Sequence, residues 1–415
     1  MVVAQLSAII GAIFSVRILT EYLEPAEYGR LALGLTIGGL VNLVVTNGIS
    51  AGIQRYYSIA IEGNDLKGYF DGAKYLLFIS TIIILAISLL LIAILSLVGM
   101  SGWIPISALA LLHSSFYSIY LTLNGIQSAA RKRANVAIHV AGDAILRILL
   151  SILFIRLFGS SGASVIIAYA LAAFMLTVSQ LYFLRDLFLE NRNNNKPAIA
   201  ENWINRIWNF SWPLSFPGLF IWLQQASDRW ALERFTTTAE VGQYVVLFQL
   251  GYTPIGMIVG LVTGIIVPII FQRSGSVTDV ERNASVHKIS WYIALSGLFL
   301  TAFCFSVSWI SHDWLFYWLV AEPFRSISYM LPWIVLAGGL FASAQIFTFK
   351  LMSELRTKAQ LAAKIITAVV GVSANILGAF WFGIEGVLGA LVIFSGFYFL
   401  WMAKLAKNLP TASIE

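Results

Sequence analysis

Residues 15–33 read SVRILTEYLEPAEYGRLAL, and residues 227–246 read SDRWALERFTTTAEVGQYVV. In each, an arginine stands near the end of an apolar stretch. An acidic turn follows, and an Ala-Glu-x-Gly leads into the next apolar stretch. Arg17 precedes Glu27 by ten residues and Arg229 precedes Glu240 by eleven. The recurrence predicts a membrane protein made of two similar halves.

Composition supports the membrane part of that reading. Of 415 residues, 59% are hydrophobic and 11% charged, with a mean hydropathy of +0.83. Soluble domains carry about 25% charged residues. Apolar runs of at least about eighteen residues recur along the chain, and lipid offers backbone groups no partners, so the runs are helices. The alternating ten-residue segments of a transmembrane barrel do not occur. The expected fold is an all-α polytopic membrane protein with about twelve spans: 1–19, 29–53, 75–98, 104–125, 137–158, 163–184, 207–228, 241–270, 289–310, 329–350, 360–382 and 386–403. The first stretch lacks a basic flank and a convincing cleavage site, so it is read as a span, not a signal peptide.

Lys and Arg placement sets the expected orientation. With a cytoplasmic N-terminus, most of the 26 basic residues fall on the inner side, including Arg131-Lys132-Arg133, Arg185, Arg192, Lys196, Arg206, Arg273, Arg282, Lys288, Arg356, Lys358, Lys404 and Lys407. The outer side holds Arg156, Arg229, Arg234 and Arg325. Both termini are therefore expected in the cytoplasm, and the +6 charge reads as topology, not as a nucleic-acid surface. The single Cys304 forms no internal disulfide and reads as a small buried hydrophobe.

Three matches in the same order support the repeat. A shift of 213 residues lays AEYG on AEVG and Gly38 on Gly251. LFGSSGASVIIAYA from Leu157 and WFGIEGVLGALVIF from Trp381 share Phe-Gly-x-x-Gly. ARKRANVAIHVAGDAI from Ala130 resembles LRTKAQLAAKIITAVV from Leu355. Six spans per half give both halves the same orientation, as in parallel-repeat transporters. The expected domains are an N-terminal lobe over 1–190, a polar, Asn-rich cytoplasmic linker over 191–206 and a C-terminal lobe over 207–415, pseudo-symmetric about a central cavity. Trp203 and Ile207, one helical turn apart, are placed at the membrane interface.

Charges at membrane depth are costly, by insertion scales about 2.5–3.5 kcal/mol each at the centre, and usually face a cavity. In span five, His139, Asp143 and Arg147 follow at intervals of four on one helical stripe. Asp143 and Arg147 either neutralise each other within the helix or line an aqueous cavity, with Arg147 meeting an anionic substrate and Asp143 coupling an ion or proton. The cavity reading is preferred, because a paired charge facing lipid would still be expensive. Arg17 and the Asp228-Arg229 pair sit near the outer ends of spans one and seven, where snorkelling is the alternative. Asp228 joins Asp143 as a candidate for ion coupling. Arg55 is either a cavity residue or a positive-inside anchor. Asn42, Asn47, Asn124, Gln224, Gln225, Gln249, Gln345 and Asn375 add hydrogen-bonding capacity or bridge helices. Gly256, Gly260 and Gly264 form a small-residue stripe expected to permit close packing, with Pro254 and Pro268 as candidate kinks.

Enzyme chemistry finds little support. No Walker motif, H-E-x-x-H or C-x-x-C occurs, so no cofactor or metal is expected. GISAG over 48–52 matches G-x-S-x-G but lies in a predicted helix, not at a strand-to-helix elbow. His312-Asp313 reads as an exposed polar pair in an outer loop over 311–328.

RILTEYLEPAEYGRLAL, followed by NGISAGIQRYYS, resembles the start of bacterial polysaccharide-biosynthesis flippases of the multidrug/oligosaccharidyl-lipid/polysaccharide exporter superfamily. FSWPLSFPGLFIWLQQASDRWALERFTTTAEVGQY resembles the opening of that family's second half. The resemblance spans the chain. It implies two six-helix lobes around a cavity that opens alternately to either side. It also implies movement of a polyprenyl-pyrophosphate-linked oligosaccharide to the outer leaflet of a bacterial inner membrane, for O-antigen, lipopolysaccharide, capsule or exopolysaccharide synthesis. Arg17, Arg147 and Arg55 or Arg229 would then meet the phosphate. Expected partners are this substrate, membrane lipids, a proton or sodium ion, and a polysaccharide polymerase. The alternatives are a drug/cation antiporter, or a peptidoglycan-precursor flippase, which typically has two more spans. A membrane polymerase would need a larger outer loop, and a passive channel fits two asymmetric lobes poorly.

Overall fold

Every regular element among the described residues of the computed structural model is helical. The structure describes the backbone of residues 2–190, 202–274, 280–353 and 357–407, with side chains over 7–185, 202–263, 281, 284–353 and 362–407. Most of the predicted linker, including Arg192 and Lys196, lies outside the described residues, as do Arg356 and the chain end from 408. So do the packing environment of Gly264 and the side chains of Pro268, Arg273, Arg282 and Lys358.

The helices are α1 (Val2–Tyr22), α2 (Pro25–Val41), α3 (Asn47–Glu62), α4 (Leu66–Leu97), α5 (Ile104–Ala129), α6 (Arg133–Phe158), α7 (Gly162–Glu190), α8 (Trp203–Phe235), α9 (Thr238–Ser274), α10 (Val280–Leu319), α11 (Leu331–Ser353) and α12 (Thr357–Lys407). A π-turn over Asn42–Thr46 joins α2 to α3, so predicted span two is one long helix from Pro25 to Glu62. There the Thr46 hydroxyl lies 2.6 Å from Asn42 Oδ1 and 3.1 Å from Ser118 Oγ, so Asn42 and Thr46 satisfy polar groups where the helix widens. In α12, Gly383 leaves helical geometry at φ 56°, and an added Cβ on Gly378 would collide with the Gly386 carbonyl. The stretches on either side of Gly383 therefore fold back on each other, as spans eleven and twelve require.

Nine of the described helical segments are long and apolar enough to cross a membrane, the last of them containing the Gly383 turn. Neither α1, described in part, nor α8 is among them. Predicted span seven is helical, but Asn209, Ser211, Ser215, Gln224, Gln225, Ser227 and Asp228 make α8 more polar than those nine segments. The predicted outer loop over 311–328 is also corrected. Helix α10 runs on to Leu319, and a 3-10 helix covers Glu322–Met330.

Two compact units emerge: Met1–Gly11 with Glu27–Gln225, and Ala12–Ala26 with Ala226–Glu415. In the first, α5 packs on α7, α3 and α4. Its core gathers Ile49, Ile53, Tyr57, Tyr69, Phe70, Leu123, Ile126 and Leu184. Trp203 and Ile207 belong to this core and are buried, so their predicted interfacial placement is wrong. The Trp203 indole donates to Asp65 Oδ2 at 2.7 Å, while Oδ1 of Asp65 accepts the Gly68 N–H and caps α4. Gly48 and Gly52 face Ser211 of α8, where a Cβ would clash. The GISAG spacing thus serves helix packing.

In the second unit α11 is central, packed by α9, α10 and α12. Its core includes Ala344, Ile346, Phe347, Leu351, Tyr398 and Met402. A Cβ added at Gly256 would meet nothing within 4 Å, so the expected packing stripe is not realised there. Half-buried Cys304 lines an apolar pocket of about 260 Å³ between α9, α10 and α11.

Candidate functional site

The predicted stripe on α6 does converge. Arg147 Nε donates to Asp143 Oδ1 at 2.8 Å, with the two side chains 23% and 17% exposed. The guanidinium also sits between two rings, 4.8 Å from the Tyr117 centroid on α5 and 5.0 Å from Tyr169 on α7. His113 stacks on the Tyr117 ring at 5.3 Å. The Tyr120 hydroxyl donates to the His139 carbonyl at 3.2 Å. His139 Nδ1 is 2.7 Å from the Asn135 carbonyl, which only accepts, so Nδ1 carries a proton. Its Nε2 lies 3.1 Å from Ser179 Oγ.

A seam of ionisable and aromatic groups thus runs between α5, α6 and α7 within the first unit. The ion pair within the helix is formed, as the structural reading anticipates. Yet Arg147 Nη2 and His113 Nε2 are buried without hydrogen-bond partners. The guanidinium therefore keeps a donor in hand, which is what an anion-recognising arginine needs.

In the second unit Asp228 is 4% exposed, and both its oxygens are engaged. Oδ2 accepts the Tyr244 hydroxyl at 2.7 Å, and Oδ1 accepts the Arg229 backbone N–H at 2.7 Å. The Arg229 guanidinium instead lies 5.2 Å from the Phe248 ring centroid, and Phe248 stacks on Tyr252 at 4.5 Å. Asn375, predicted as a polar bridge, donates to Ser227 Oγ at 3.0 Å.

Arg17 pairs with Glu21 at 2.7 Å and lines a cavity of about 380 Å³ together with Arg325, Glu24 and Glu322. The Thr20 hydroxyl there accepts the Ala321 N–H at 3.2 Å. Arg55 is exposed on α3, without an ion pair among the described residues. Asp143 and Arg147 are therefore brought together, Arg17 and Arg229 occupy separate settings in the second unit, and Arg55 lies exposed on α3 in the first. The predicted His312–Asp313 pair is bridged, with Ser328 Oγ donating to Asp313 at 2.9 Å and lying 3.1 Å from His312 Nδ1. This ties the end of α10 to the following 3-10 helix.

Sequence reading missed Tyr117 and Tyr169, which enclose Arg147, His113, which stacks on Tyr117, and Tyr244, which holds Asp228. It also missed Lys350, fully buried in α11. The spacing of His113, Tyr117 and Tyr120, one polar face of an apolar helix, was the available signal for α5.

Serial membrane-length helices in two compact units, with paired charges inside them, define an all-helical, multi-pass membrane protein. The chain belongs to the polysaccharide biosynthesis protein family, whose model matches residues 1–274. Its fold is similar to that of an inward-facing multidrug resistance MATE transporter of the superfamily, with TM-score 0.67, 18% identity and 98% of both chains covered. It is also similar to the lipid II flippase MurJ in an inward closed conformation, with TM-score 0.72, 12% identity, and 98% of this chain and 87% of that one covered. A third similar fold is that of a superfamily transporter from Pyrococcus furiosus, with TM-score 0.58, 17% identity, and 98% and 95% covered. Among curated proteins no relative matches the chain.

Proposed function

We propose that the protein is a flippase. It carries a polyprenyl-pyrophosphate-linked oligosaccharide from the cytoplasmic to the outer leaflet of a bacterial inner membrane, for surface polysaccharide synthesis such as O-antigen or capsule. It works as a carrier, not an enzyme, by alternating access between lobes 1–190 and 207–415, with both termini cytoplasmic. The observation that carries the reading is the Asp143–Arg147 pair, held between Tyr117 and Tyr169 with a guanidinium donor unused, in a chain of the polysaccharide biosynthesis family.

The physics is direct. A sugar head group entering hydrocarbon loses hydrogen bonds at a cost of several kcal/mol per unsatisfied group. A polar path removes that barrier while the prenyl tail stays in lipid. Arg147 is the cation that would meet the diphosphate, Arg17, Arg55 and Arg229 are further candidates for that role, and Asp143 and Asp228 are the carboxylates available to couple a proton or sodium ion. A membrane potential negative inside favours outward movement of an anion by about 2.3 kcal/mol per charge per 100 mV.

The test is a deletion strain complemented with wild type, Arg147→Ala or Arg147→Lys, scored for lipid-linked oligosaccharide on each leaflet. The reading expects precursor trapped on the cytoplasmic leaflet in the deletion and with Arg147→Ala, the variant being present at wild-type level. Repeat units stranded singly on the outer face would indicate a polymerase. Normal export by Arg147→Ala would remove Arg147 from the site. The superfamily's alternative, a drug/cation antiporter, predicts changed drug sensitivity with unchanged glycan.

A further inference from the structure

The turn between α5 and α6 contains three consecutive cations and an unusual backbone. Ala130 closes α5 at φ −72°, and Arg131 follows in the left-handed region at φ 58°. Arg131 N–H donates to the Ser128 carbonyl at 3.0 Å and Lys132 N–H to the Gln127 carbonyl at 2.9 Å, the paired closure that ends many helices. That closure normally places glycine where Arg131 stands, since a Cβ is crowded at positive φ. The chain itself makes the same closure with glycine after α4, at Gly99 (φ 77°), and with asparagine after α3, at Asn64 (φ 52°), the two residue types that adopt this conformation most readily. Turn geometry therefore does not account for an arginine here; its side chain must contribute something else.

The neighbours point the same way. Lys132 makes no side-chain cap, Arg133 occupies the first turn of α6, and that turn holds no acidic residue. Arg131 and Arg133 are exposed and Lys132 half-buried, and among the described residues none of the three has an ion pair or side-chain hydrogen bond. Beyond the turn, α6 exposes Ile138, Ile145 and Leu149, the apolar face that meets lipid. On the adjacent α7 the Arg185 guanidinium lies 4.2 Å from the centroid of the exposed Tyr182 ring, a combination common at the membrane–water interface. Positive charge at Arg131, Lys132 and Arg133, without an acidic partner among the described residues, thus stands at the end of a lipid-facing surface.

We infer that the Arg131–Lys132–Arg133 turn binds the phosphate of an anionic phospholipid, with the acyl chains lying along the exposed face of α6. On the orientation proposed above, this lipid belongs to the cytoplasmic leaflet. The site needs no transported cargo, so it stands or falls apart from the flippase reading.

The experiment compares wild type, Arg131→Gly and the triple variant R131G/K132Q/R133Q. Each is purified with phosphatidylglycerol and phosphatidylcholine at equal amounts, and the lipid retained is measured by native mass spectrometry. Arg131→Gly relieves the backbone crowding, so its melting temperature should equal or exceed that of wild type, which separates binding from folding. Preferential retention of phosphatidylglycerol should fall by roughly fivefold per cation removed. Equal retention by wild type and the triple variant would overturn the inference. Displacement of bound phosphatidylglycerol by equimolar undecaprenyl diphosphate would also overturn it, assigning the turn to the substrate.

Discussion

Glu27 Oε2 accepts the backbone N–H of Gly162 at 2.9 Å, joining the start of α2 to the first turn of α7, while Oε1 of the same carboxylate pairs with Arg30 at 2.7 Å. The two partners belong to the Ala-Glu-x-Gly and Phe-Gly-x-x-Gly matches that recur in the second half. There Glu240 faces the equivalent turn, its Oε2 3.4 Å from where a Cβ on Gly383 would stand. Two short sequence repeats, far apart in the chain, are neighbours in space in each unit. The acidic residue sits where an unpaired amide of a helix start needs an acceptor.

Glu27→Ala should therefore cost about 1–3 kcal/mol, because it leaves the Gly162 amide without an acceptor. Arg30→Ala should cost under about 1 kcal/mol, since the ion pair is exposed. Thermal melting of the two variants in one detergent checks this, and equal losses would deny the Glu27–Gly162 bond its role.

Gly159→Ala and Gly383→Ala should each destabilise by about 1–3 kcal/mol, because φ 96°, ψ 163° and φ 56°, ψ −133° lie at positive φ where a Cβ is strongly disfavoured. A Cβ on Gly159 meets nothing within 4 Å, and one on Gly383 meets only ordinary contacts, so the cost is conformational. Gly389, also in open space, is helical, and its replacement by Ala should stabilise by about 0.5–1 kcal/mol. Opposite signs in denaturation midpoints are the expected signature.

Tyr244→Phe strips Asp228 Oδ2 of its donor inside a buried site, a loss of about 1–3 kcal/mol. Asp228→Asn should couple with it, giving an interaction energy of about 0.5–3 kcal/mol in a double-mutant cycle. If Asp228 also couples transport to an ion, Asp228→Asn shifts the pH or sodium dependence of flipping in proteoliposomes and Tyr244→Phe alone does not abolish that dependence. Matching dependence in wild type and Asp228→Asn would confine Asp228 to a structural role.

Trp203→Phe should lose the indole donor to Asp65 and little packing, about 1–2 kcal/mol. Asp65→Ala should cost more, because it also removes the α4 cap. Ranking the two variants by urea midpoint tests the order. A smaller effect at Asp65 would contradict it.

The seam around Arg147 was half legible. Intervals of four on one apolar helix mark His139, Asp143 and Arg147, because 3.6 residues per turn lays them on a single face. The aromatic walls were not legible, since Tyr117 and Tyr169 reach Arg147 only through the packing of α5 and α7 on α6. Trp203 shows the opposite failure. An aromatic residue beside a polar linker reads as interfacial, and only the fold reveals the Asp65 carboxylate that draws its indole into the core.

Hydropathy was enough to specify serial membrane helices, and the double Ala-Glu-x-Gly marked a turn that each unit uses in the same way. Lipid denies the backbone any other partner, and local spacing sets which residues share a helix face. Which face meets which neighbour depended on side chains from helices far apart in the chain. Tertiary structure alone thus decided that Arg147 rests between two tyrosines, that Asp228 serves Tyr244 in preference to the Arg229 guanidinium, and that α10 continues where a loop was expected. Those outcomes turn on close packing and hydrogen-bond satisfaction between distant segments, which no local pattern encodes.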